Sequence, residues 1–246
     1  TRERAVVVSQ ARPHSILPVY GDSVVGRQVG FADEPDVIRA LQGGRRGFTE
    51  VRRSDGSWPS SMVKGAPHVQ ETYPVRAADG SVMAAICIET NLIERERHRR
   101  RSRVFQRALK RFQRAVLAGA LPDADQLSSF SEHDGLVVVD TQHRIQYISG
   151  IATSMYRKLG YAGDLVKRYI EDLEMDDNGV VLEALARRRC LEREIQVRDL
   201  IWVKKAIPLL APNRGPRSWF RRGRDTWRLE GVLVTIHDET EQRRQE

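Results

Sequence analysis

Between residues 93 and 114 the chain carries ten Arg or Lys against two Glu, a local excess equal to the +8 of all 246 residues. Across 92–119 the apolar residues Val104, Phe105, Ala108, Leu109, Phe112, Ala115 and Val116 recur at i, i+3, i+4 and i+7, the spacing of one helix face. Ala118-Gly119, with Pro122 just beyond, supplies a stop. At 1.5 Å per residue such a helix would be about 40 Å long, more than a small domain needs. Its first half, Glu94 to Arg103, shows no apolar face, so it must be exposed or pack through aliphatic stems. The pattern suits a connector between two bodies, and a dimer seam.

The bodies on either side read as soluble globular chain, with 40% hydrophobic and 30% charged residues. No apolar run, that of Met83 to Ile88 included, approaches the roughly 20 residues that cross a bilayer. Two cysteines, Cys87 and Cys190, exclude a disulfide framework and make a reducing cytoplasm the expected setting. The start lacks both a methionine and a signal-peptide pattern, so the chain is expected to be a piece of a longer protein. A second basic block, 214–228, sets six arginines against Asp225, with Trp219, Phe220 and Trp227 among them. Basic faces can attract phosphates, and aromatics among arginines can stack on bases. They can equally be solvated surface. With no helix-turn-helix or zinc pattern beside the charge, nucleic acid is not the expected partner.

Residues 1–91 read as strands and turns with one short helix. Ala5 to Ala11 is a strand candidate, and Pro35 to Gln42 is a helix stopped by Gly43-Gly44. Val69–Val75 and Val82–Glu89 flank Asp79-Gly80, a hairpin signal. Met83 to Ile88 is expected to be the most buried element here, with Cys87 a small core residue.

From Ser131 the order is strand (Gly135–Asp140), turn, strand (Ile145–Ile148), then helical pieces at 152–159, 164–173 and 180–189. Strands at 191–198, 201–209 and 229–237 complete it. This describes a five-stranded antiparallel sheet with helices on one face, an α+β design. Such a sheet can enclose an apolar pocket. Val139, Ile148, Met155, Tyr156, Leu159, Ile195, Val197 and Val203 are its candidate lining, either around a small ligand or as ordinary core.

Asp134-Gly-Leu-Val-Val-Val-Asp140, Ile145-Gln-Tyr-Ile-Ser149 with Ala152, and Ile236-His-Asp-Glu-Thr-Glu241 resemble the opening and exit of a PAS domain. Glu239 departs from the usual apolar residue in that exit. Ala11-Arg-Pro13, Gly26, Tyr73-Pro-Val-Arg76, Glu89-Thr-Asn-Leu92, Ala118-Gly-Ala-Leu-Pro-Asp123 and Tyr156-Arg-Lys-Leu-Gly160 are similar to the GAF-PAS class of soluble sensor histidine kinases. The resemblance implies an α+β chain of two antiparallel-sheet sensor domains, GAF-like then PAS, joined by a long helix. Its parts would be a GAF-like domain at 1–91, a connector at 92–130, a PAS domain at 131–241 and the start of an output helix at 242–246. It also implies signal transmission through Asp238, Thr240 and Glu241, homodimerisation along helix 92–119 and the C-terminal helix, and a response regulator as downstream partner. ATP and magnesium would act in a kinase domain beyond this stretch.

The residues themselves carry no catalytic pattern. There is no Walker motif or GxGxxG, and the six histidines are isolated from one another and from the cysteines. His237 reads as an ordinary strand residue. A photoreactive flavin would want a cysteine at 164–173 and a haem a histidine at 180–189; neither occurs, so no cofactor is expected. Cys190 lies among arginines that could lower its pKa, which would suit a redox sensor. Other outputs, such as a cyclic-dinucleotide enzyme or a phosphatase, are also found behind PAS sensors.

Overall fold

A computed structural model describes residues 4–6, 26, 28–30, 34–51, 68–77, 79–91, 102–131, 133–173, 178–213 and 227–245. Ala11–Pro13, the helix turns expected at 92–101, Trp219, Phe220 and the arginines of 214–224 lie outside these residues. The chain divides into two compact units, Thr1–Arg101 and Ser102–Glu246.

In the first unit β1 (Arg4–Val6) pairs antiparallel with β2 (Gln28–Gly30). Helix α1 (Pro35–Gly43) opens on a proline, whose fixed φ suits a first turn. It closes at Gly44, which adopts φ 61° and returns its N–H to Ala40 O. An antiparallel sheet follows in the order β3 (Gly47–Val51), β4 (His68–Arg76), β5 (Val82–Asn91). Ile38 and Ala40 of α1 are buried, as are Val69 and Tyr73 of central β4. Beneath them Gln70 donates to the Glu34 carboxylate at 2.8 Å. The Asp79-Gly80 hairpin forms as its sequence predicts: Gly80 takes φ 86°, Asp79 accepts the Ser81 N–H, and Arg76 donates to Gly80 O.

Met83 to Ile88 is not the buried element. Met83 is 62% and Ile86 39% exposed, and Cys87 is exposed too. Among the described strands β5 pairs only with β4 and stands at the sheet edge. An apolar run there meets fewer neighbours than the mixed sequence of β4, which owns the centre.

The second unit is a five-stranded antiparallel sheet in the order β7 (Ile145–Ile148), β6 (Gly135–Val139), β10 (Trp227–Asp238), β9 (Leu200–Pro212), β8 (Leu191–Val197). One face carries α3 (Gly150–Lys158) and α4 (Asn178–Arg187) over a core of Val137, Val139, Ile145, Met155, Tyr156, Leu173, Val181, Trp202 and Ile236. The stretch expected to be helical at 164–173 is instead a turn, with Asp164 accepting the Val166 N–H, and a short 3₁₀ segment at Ile170–Leu173. Gly231 sits at φ 149° in a bulge of β10, where a Cβ would run into Val139 O.

Helices do not gather on one face alone. Helix α2 (Arg103–Leu117) lies across the other side of this sheet, burying Phe105, Ala108 and Ala115 over Val138, Ile207, Leu209 and Leu233. Phe105 stacks on Tyr147 at 5.3 Å between ring centroids. Most of the periodic stripe of residues 104–116 is therefore spent on the chain's own sheet, Val116 being left exposed, because that face of β6, β9 and β10 is as apolar as the first.

Candidate functional site: the core and exit of the second unit

Local chemistry places the opening of this unit. Asp140 accepts the backbone N–H of Gln142 and Arg144, closing the turn between β6 and β7 with His143 at φ 65°. Ser149 Oγ accepts two bonds, from Ala152 N at 3.2 Å as the cap of α3 and from Leu136 N at 2.9 Å across to β6. Gly135 lets the two elements close: a Cβ there would lie 2.9 Å from Ala152 Cα.

The exit is held from four sides. The Thr240 hydroxyl donates to Asp238 Oδ1 at 2.5 Å and accepts the Ile201 N–H at 3.0 Å. Asp238 Oδ1 also accepts the Thr240 backbone N–H, which makes the carboxylate the cap of α5 (Thr240–Gln245). Its other oxygen faces Lys158 Nζ of α3 at 3.4 Å. Glu239 donates its N–H to Ile201 O and pairs through its carboxylate with Arg243, which also reaches Glu194 of β8. Glu241 lies exposed on the first turn of α5. Burial pushes the Asp238 carboxyl up, but the Thr240 hydrogen bonds and the Lys158 charge outweigh it and hold the pKa below the ordinary value. His237, read from sequence as an ordinary strand residue, has Nδ1 2.8 Å from Oδ1 of the buried Asp134 carboxylate, tying the exit strand to the start of β6.

Of the candidate pocket residues, Val139, Met155, Tyr156 and Leu159 are buried in the core facing α3 and α4, and Ile148, Ile195 and Val197 pack against it. Val203 does not belong with them. Trp202 and Ala206 point into this core, so the alternation of β9 sends Val203 to the opposite face. Trp202 itself, absent from the sequence reading, is fully buried edge-on to Tyr156 at 5.7 Å. Lys204, 1% exposed, places its Nζ 5.8 Å from the same Tyr156 ring. Two adjacent lysines in a strand look like surface. Lys205 escapes the cost of burial by donating to Ser129 O at 2.6 Å on the other side of the sheet.

Comparison with known proteins bears on each unit differently. Residues 1–108 match the family model of the histidine kinase PdtaS GAF domain. That match covers 108 of the 246 residues and stops within α2. Over nearly the whole chain the fold is similar to a solved structure titled "Sensor region of a sensor histidine kinase", at TM-score 0.65 and 22% identity, covering 98% of this chain and 81% of that one. The PAS domain of histidine kinase ThkA overlays 43% of this chain and 99% of its own at 16% identity and TM-score 0.31. Among curated proteins none matches the chain.

The two units each hold one thiol, and the two environments are opposite. Cys190 of the second unit is buried, and desolvation, then the nearby Asp123 charge, push its pKa to about 11. The arginines near it in sequence do not activate it, so the redox-sensor expectation loses its physical basis. Cys87 in the first unit is exposed rather than core. An aromatic disulfide reagent at pH 8 should therefore label one thiol per native chain within minutes, mapping to Cys87, and a second only on unfolding. Fast labelling of Cys190 in the native chain would contradict the burial. Among the described residues no group of His, Cys, Asp and Glu could hold a metal, and no helix is long and apolar enough to cross a membrane.

Proposed function

We propose that this chain is the signal-sensing region of a cytoplasmic two-component histidine kinase, and that Asp238 and Thr240 pass the state of the PAS-like unit to the output helix. The observation that carries this reading is the Thr240 hydroxyl, which joins β9 to the exit of β10 and the start of α5 through bonds of 2.5 and 3.0 Å. A core change that slides β9, whose Trp202 lies in the core and whose Ile201 holds Thr240, must remake those bonds. Packed elements shift between discrete arrangements rather than bending smoothly, so a small displacement can turn α5.

In this reading the core residues Val139, Ile148, Met155, Tyr156, Leu159, Ile195 and Val197 respond to the signal without a cofactor. ATP and magnesium act in a downstream kinase domain, whose phosphoryl group passes to a response regulator. The dimer forms through α5 and the connector 92–119.

The test is phosphorylation of the intact parent protein with labelled ATP. An acid-labile label on histidine is expected, and Asp238→Ala should change its rate by about fivefold or more, the effect of roughly 1 kcal/mol on a two-state balance. No label with either magnesium or manganese overturns the kinase reading. Equal labelling of parent and variant overturns the role of the exit.

A further inference from the structure

Helix α2 presents Arg107, Lys110, Arg111 and Arg114 at spacings of three and four residues, on one face beside its buried stripe. These side chains do not project from a convex surface. They form one wall of a cleft of about 460 Å³ whose other wall is Leu210, Ala211, Pro212 and Asn213 at the end of β9 with Arg228 and Glu230 of β10. Five cations thus face one carboxylate. Glu230 pairs with both Arg111 and Arg228, holding those two guanidinium groups in place. Arg107, Lys110 and Arg114 make no ion pair among the described residues. Like charges at this spacing weaken a helix, and an anion in the cleft would relieve that repulsion.

We infer that this cleft is a binding site for a small molecule bearing a di- or triphosphate group. Its volume falls within the roughly 300–1,000 Å³ of small-molecule sites. Planar guanidinium forks match phosphate oxygens two at a time, and two of them are already oriented by Glu230. The net excess of four positive charges at the walls suits a ligand of several negative charges better than a single carboxylate. Ala211 and Pro212 on the opposite wall offer an apolar seat for the rest of the ligand. The site lies apart from the core and exit, and its occupancy does not depend on any downstream kinase.

Titration calorimetry of the full chain with inorganic tripolyphosphate tests the site without any activity assay. Binding of one tripolyphosphate per chain is expected, weakened at least about tenfold, or 1.4 kcal/mol, by Lys110→Glu combined with Arg114→Glu. Both residues are exposed, so the melting temperature should hold; Arg157→Glu on α3 serves as the matched control and should leave binding unchanged. Vesicles with anionic phospholipid and a single-stranded RNA form the other arms. No tripolyphosphate binding, equal loss in the Arg157→Glu control, or preferential binding of RNA or vesicles through the same residues would each overturn the assignment.

Discussion

Replacing Trp202 with alanine is expected to destabilise the second unit by about 3–5 kcal/mol, the usual cost of emptying a large buried aromatic site. That is a large share of the roughly 5–15 kcal/mol that holds a domain folded. The indole is fully buried against Tyr156 and the core beneath α3 and α4. Its Nε1 has no hydrogen-bond acceptor among the described residues. Trp202→Phe should therefore cost much less than Trp202→Ala, because it gives up area but no hydrogen bond. Urea unfolding of the full chain, followed by far-UV circular dichroism, reads both variants. A Trp202→Phe cost equal to that of the alanine variant would mean that the N–H, rather than the ring, is what the core holds.

Removing the Thr240 hydroxyl with the near-isosteric Thr240→Val should loosen the exit while leaving the core intact. Ile201 N–H loses its acceptor and Asp238 its short hydrogen bond, and an unmet buried donor costs about 1–3 kcal/mol. The loss should be local: amide exchange at Ile201 and along 240–245 should speed up by about tenfold or more, with the central strands unchanged. The same substitution should move the Asp238 carboxyl upward. In the native exit its pKa lies below the ordinary 3.8 although burial pushes the other way, because Thr240 and Lys158 favour the charged form. A depressed folded pKa means that the carboxylate's contribution is complete above the ordinary carboxylate range and is lost as pH falls through the lower, folded value. The carboxylate thus contributes in full at neutral pH, and its contribution is lost only in acid. Carbon-detected titration of Asp238 should show a higher midpoint in Thr240→Val; an unchanged midpoint would argue that the hydroxyl bonds elsewhere.

Much of this arrangement was legible residue by residue. Asp79-Gly80, Asp140 with its following turn, Ser149 as a cap and the Asp238-Glu-Thr240 exit are local devices. Part of each works through groups a few positions apart, which sequence carries, while partners such as Leu136 for Ser149 and Ile201 and Lys158 for the exit come from far along the chain. The apolar periodicity of 104–116 likewise determined that α2 has one oily face. Neither the partner of that face nor the depth of any strand was written in the same way. Met83 to Ile88 is the most apolar run in the chain, yet it stands exposed at a sheet edge, while the mixed residues Gln70 and Thr72 are buried in the strand beside it. Lys204 reads as surface and lies under α3, and Val203, read as pocket, faces α2's side of the sheet. The sequence by itself determined most of the elements and turns and the α+β class, though not the 164–173 stretch, because those rest on short-range geometry. Only the tertiary structure decided which face each element shows to what, since that depends on strand order and on helices far away in the chain. The same long-range assembly set the Cys190 thiol in the interior, and it alone brought the cations of α2 opposite the ends of β9 and β10.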